Sequence, residues 1–98
     1  MNEEKIYNPS EQIIKNSNIS ESEFEELYKD SLSNPDEFWG AQAETYLDWD
    51  KKWTQVSETN IEKGEFTWFK GGQLNASVNC IDRHLPENKN KVALIWEG

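Results

Sequence analysis

Cys80 and His84 stand four residues apart, a spacing that puts a thiol and an imidazole on one helical face as half of a metal site or a thiolate–imidazole pair. The chain holds one cysteine and one histidine, so carboxylates would have to complete a zinc shell, and a cysteine nucleophile would also need an oxyanion site. Neither a metal centre nor a catalytic residue is expected. Asp82, Arg83 and His84 form a polar triad that reads as an ion-paired cap tying a helix end to neighbouring backbone. Gly71-Gly72 lacks the Lys-Ser/Thr of a phosphate loop and the strand-to-helix spacing of a dinucleotide fingerprint, and it reads as a turn. The remaining chemistry is aromatic. Trp39, Trp49, Trp53, Trp68 and Trp96, with four phenylalanines and three tyrosines, are a heavy load for 98 residues. On one surface they would make a sugar-stacking platform, whereas on helical stripes they pack. Each ring buries on the order of 150–250 Å², more than so short a chain can readily shelter, so some rings are expected to face a ligand, a partner or the rest of a larger body.

The elements that would position these residues follow from the pattern. Residues 1–19 carry scattered apolar side chains (Ile6, Tyr7, Ile13, Ile14) and read as an extended or flexible arm. Ser20 and Glu23 form a capping box, after which Phe24, Leu27, Tyr28 and Leu32 mark an amphipathic helix running to about Asn34. The Glu and Asp residues between them are expected to be solvated. Asn34-Pro35 ends that helix and starts a second, with Phe38, Trp39, Gln42, Ala43, Tyr46 and Leu47 on one broad face. Between Asp48 and Lys63 the periodicity decays, with Trp49, Trp53 and Val56 as partly buried points on a polar path that looks like chain wrapped over another surface. Glu65 to Lys70 is a short aromatic strand that Gly71-Gly72 can turn back. Asn75 then caps a third helix whose stripe is Ala76, Val78, Cys80, Ile81 and Leu85, with Arg83 and His84 in its last turn and Pro86 just beyond. Val92 to Trp96 reads as a terminal, buried strand. The fold class is α+β, mainly helical: two amphipathic helices, an aromatic extended segment, a short strand, a third helix and a terminal strand.

The net charge of −9 is uneven: residues 1–50 hold thirteen acids against three lysines, and residues 51–98 six acids against seven lysines and arginines. No basic stripe is present to release phosphate counterions, so nucleic acid and anionic membrane surfaces are excluded as partners. No apolar run approaches the ~20 residues that a membrane span requires, and no cationic start leads into an apolar stretch. With its single cysteine, the chain is expected to be cytoplasmic.

Three blocks carry a resemblance: PDEFWGAQAETYLDWDKKWTQV, FTWFKGGQLNASVNCIDRHL and KVALIWEG. Over about residues 20–98 the chain resembles the N-terminal region of AMP-forming acetyl-CoA synthetases (acetate–CoA ligases, of the adenylate-forming enzyme family). The resemblance implies an incomplete part of a larger adenylate-forming fold, with domain 20–98 as the N-terminal region and the catalytic domains absent. The full-length parent is implied to use ATP, Mg²⁺ and coenzyme A to activate acetate through an acetyl-adenylate. The family's phosphate loop, its adenine and ribose contacts and its adenylate-forming lysine have no matching positions here. No cofactor-binding residue is therefore carried over, and the segment alone is expected to be inactive. Its implied role is structural or docking, through Trp39, Trp49, Trp68, Asp82, Arg83, His84 and Trp96. The partners it implies are the missing catalytic domains of the same enzyme, with self-association through exposed aromatic surface or the terminal strand. A free-standing acidic, aromatic-rich protein- or glycan-binding module is the alternative.

Overall fold

A computed structural model describes residues 3–98. The chain divides into two compact units, one ending at Pro35 and the other running from Asp36 to Gly98.

In the first unit, local capping makes the structure. Ser10 Oγ accepts from the Ile13 amide at 3.4 Å and opens α1, Glu11–Asn16. The segment expected as an extended arm thus contains a short helix, while Met1 and Asn2 lie outside the described residues. Next comes α2, Glu21–Ser33, entered through the predicted capping box: Ser20 Oγ accepts from the Glu23 amide at 3.2 Å, and Glu23 Oε2 accepts from the Ser20 amide at 2.7 Å. Neither helix buries a residue, and the Phe24, Leu27, Tyr28 and Leu32 stripe is exposed.

The same box predicts a pH effect. The bond from the Ser20 amide, then that from its hydroxyl, holds the Glu23 carboxyl below its ordinary value. A carboxyl depressed on folding adds stability that is complete above its unfolded value and is lost as pH falls through the folded one. Acidification through and below the usual carboxylate range should therefore fray α2. Glu23→Gln, which retains a capping acceptor without the titrating group, should show a smaller acid-induced loss of far-ultraviolet helical signal; identical acid profiles for the two proteins would refute this.

The second unit is built around a hairpin. β1, Gln55–Asn60, pairs antiparallel with β2, Glu65–Lys70, in a register running from Asn60↔Glu65 to Gln55↔Lys70. Gly64, at φ 67°, closes the turn between them, and its amide donates to Ile61 O at 3.1 Å. β1 was not foreseen, because Gln-Val-Ser-Glu-Thr-Asn has only Val56 as an apolar residue. Within the stretch expected to wrap over another surface, Trp49, Trp53 and Val56 are half-buried as read, but residues 55–60 form half of a sheet, and β2 is reversed onto its partner by the turn before it, not by Gly71-Gly72. After β2 the chain bends at Gly71, and Gln73 exchanges two backbone bonds with Lys51. Within α3, Pro35–Tyr46, Gly40 and Ala43 are the buried residues. A Cβ on Gly40 would lie 3.3 Å from Val56 Cγ2 and 3.8 Å from Trp53 Cζ2, so small residues allow α3 to sit close to the start of the hairpin.

The third helix is shorter than its pattern implied. α4, Ala76–Cys80, is capped by Asn75 and followed by a 3₁₀ turn at Asp82–His84 and by α5, Leu85–Asn88. The regular ladder stops after the Ile81 amide, which still donates to Ser77 O, and the Asn79 carbonyl accepts from the Arg83 side chain. Pro86 has no amide to offer Asp82 O, which takes the Leu85 amide in a 3₁₀ bond. Pro86 lies just past the 3₁₀ turn and in the first turn of α5, where a missing amide is tolerated. Cys80 is exposed, contrary to its placement on a buried stripe; the buried residue of α4 is Asn79. Val92 to Trp96 forms no strand, and all five of its side chains are exposed, Ile95 at 89%. The hairpin has no strand paired with that run among the described residues.

Candidate docking surface

Two constructions in the Asp36–Gly98 unit place the residues singled out by the sequence. The first is polar and centres on Asn79, 4% exposed. Its Oδ1 accepts from the Asp48 amide at 2.7 Å, and its Nδ2 donates to Asp48 O at 2.9 Å and to Asn75 O at 3.0 Å. This two-way exchange across 31 residues of sequence is what an amide side chain offers and a carboxylate does not. Arg83 spans the same junction, its Nε donating to Asn79 O and its Nη2 to Tyr46 O, both at 2.7 Å, with Nη1 3.6 Å from Asp48 Oδ2. His84 Nε2 lies 3.1 Å from the Asn79 carbonyl, so the tautomer protonated at that nitrogen donates to it. Asp82 stays exposed, outside this group. The triad thus splits: two members reach backbone and the third faces solvent. Sequence reasoning missed Asn79, whose only local mark is a polar residue amid an apolar stripe.

The second construction is aromatic. Trp49, Trp53 and Phe69 form a triangle with ring centroids 4.9, 5.5 and 5.2 Å apart, tilted or edge-to-face. Trp49 Nε1 donates to Ala43 O at 3.0 Å, which ties the triangle to α3. Phe69 holds φ at 51°, unusual for a residue with a side chain, and its carbonyl receives the Gly72 amide at 2.9 Å. Phe69 also lines a cleft of about 330 Å³ with Trp39 of α3 and Trp68 of β2, which are 45% and 51% exposed. Trp96 stands apart at 82% exposure.

These residues do not form a phosphate cradle. A Cβ on Gly72 would lie 2.7 Å from the Trp49 ring, so the glycine pair is packed on indole and leaves no hollow for a nucleotide. The pair is also separated from the start of α4 at Ala76. The glycine pair therefore does not fit a nucleotide phosphate. Among the described residues, no group of three or more His, Cys, Asp and Glu could hold a metal ion, and no helix is long and apolar enough to cross a membrane.

The described residues form an α+β region with the Trp39 and Trp68 rings left open to solvent. Residues 24–80 match the family described as Acetyl-coenzyme A synthetase N-terminus, and the chain belongs to that family. It is 50% identical over 80 residues to acetyl-coenzyme A synthetase 2 of Pseudomonas aeruginosa, covering 82% of this chain and 12% of that protein. It is 44% identical over 98 residues to the acetyl-coenzyme A synthetase of Magnetococcus marinus and 48% over 99 residues to that of Leptospira biflexa; each match covers the whole chain and 15% of the relative. The chain thus spans 12 to 15% of the length of these curated relatives.

Proposed function

We propose that this chain is the N-terminal structural and docking segment of a cytoplasmic acetate–CoA ligase, and that it is inactive by itself. The parent enzyme converts ATP, acetate and coenzyme A to AMP, pyrophosphate and acetyl-CoA through an acetyl-adenylate, with Mg²⁺ supporting the nucleotide. The observation that carries the proposal is the match over residues 24–80 to a family defined as the N-terminus of that enzyme. The segment's contribution is mechanical: Trp39, Trp49 and Trp68 pack or dock, Arg83 and His84 brace the backbone beneath them, and Val92 to Trp96 joins a sheet of the catalytic part. Detached, that run associates with its like in a second copy, which sedimentation velocity reads.

Incubated with Mg-ATP, acetate and coenzyme A, the purified 98-residue chain should form no AMP above a protein-free blank. Acetate-dependent turnover would refute the claim that the segment is inactive alone.

A further inference from the structure

The structure assigns the open cleft of Trp39, Trp68 and Phe69 as the surface that receives an apolar side chain from the polypeptide following this region in the family's enzymes. The inference rests on the reading above and deepens it by naming the face and the chemistry of its occupant. Three observations carry it. The rings are held in advance, Trp39 on α3, Trp68 on β2 and Phe69 in the triangle with Trp49 and Trp53, so docking need not order them. Val92 to Trp96, by contrast, would have to gain structure as it docks. All three lining side chains are aromatic and uncharged, which suits an inserted aliphatic or aromatic group; a glycan or an ionic peptide would also demand hydrogen-bonding groups around the rings. Tryptophans seated in a shallow, preformed cleft also have the composition and shape of a binding hot spot. Family membership supplies the occupant, because the matched region is a terminus and most of each relative's length lies outside it.

The test uses two proteins: the chain itself, and a hybrid in which it replaces the matching 98-residue stretch of the Magnetococcus marinus enzyme. Each is treated briefly with N-bromosuccinimide, and oxidation at every tryptophan is read by peptide mass spectrometry. Trp39 and Trp68 should react at least about tenfold more slowly in the hybrid than in the chain alone, as expected for side chains exposed only when contacts open. Trp49, half-buried in the chain itself, should change far less. Equal rates at Trp39 and Trp68 in the two proteins would overturn the assignment. In the same hybrid, Trp39→Ser combined with Trp68→Ser should shorten the half-life of heat inactivation several-fold; an unchanged half-life would also count against the cleft. Acetate-dependent AMP formation separates the two claims. An active hybrid with unprotected Trp39 and Trp68 removes the cleft and leaves the enzyme reading standing, whereas an inactive hybrid removes the enzyme reading.

Discussion

Asn79→Ala should destabilise the Asp36–Gly98 unit by about 2–4 kcal/mol, one of the two largest single-residue effects expected in this chain. The substitution deletes three side-chain hydrogen bonds, and the Asp48 amide loses its Asn79 acceptor in a part-buried site. Arg83 can still reach the Asn79 carbonyl, so the loss belongs to the amide side chain and not to the whole junction. Small domains have about 5–15 kcal/mol in total, so much of the chain's reserve would go. Asn75→Ala is the control: it removes a helix cap whose oxygen accepts from Val78, at a cost of about 1 kcal/mol. Urea titration followed by tryptophan fluorescence should place the Asn79→Ala midpoint well below that of Asn75→Ala, and coincident midpoints would show that the buried amide does not hold the junction.

The second large effect is a collision. In Gly72→Ala the new methyl would stand 2.7 Å from Trp49 Cζ3 and 3.0 Å from Phe69 O, and it meets a ring already wedged against Trp53 and Phe69. Overpacking of this kind costs about 1–3 kcal/mol, and the expected response is a displaced Trp49. Gly64→Ala separates crowding from backbone geometry. Gly64 has φ of 67° with nothing within 4 Å of a Cβ, so alanine there bears only the left-handed conformation, about 1 kcal/mol. Near-ultraviolet circular dichroism should lose tryptophan signal in Gly72→Ala and keep it in Gly64→Ala. Retention of the full signal in both variants would mean that Trp49 is not packed on the glycine.

What the sequence disclosed was mostly local. The Ser20–Glu23 box, the Asn34-Pro35 junction, β2 and the Asn75 cap each depend on residues within a few positions of one another, and each is present in the structure. The family was legible from the three aromatic blocks. What stayed hidden depends on distant partners. Asn79 is buried because Asp48 lies across from it, and nothing near position 79 announces that pairing. The Ala76–Leu85 stripe misled about both helix length and Cys80: the apolar pattern runs on across the break after Ile81, and Cys80 is exposed. β1 was hidden for another reason: its polar side chains flank a single valine, and its pairing is specified by β2 and the turn at Gly64. Val92 to Trp96 has the composition of a strand, but a strand needs a neighbour to bond with, and composition does not supply one.

Pro35 leaves a missing rung where α2 gives way to α3, because proline has no amide hydrogen to pass the ladder on. The thirteen residues of α2 and the six of α1 bury no side chain, so no packed face offsets lengths that are marginal for α2 and well short of marginal for α1 in water. Heat should therefore be taken up in two ways, as a gradual unwinding of the leading helices with no sharp midpoint and as a steep transition of the hairpin unit. The calorimetric enthalpy of the steep transition alone should therefore leave out the helix lost from α1 and α2.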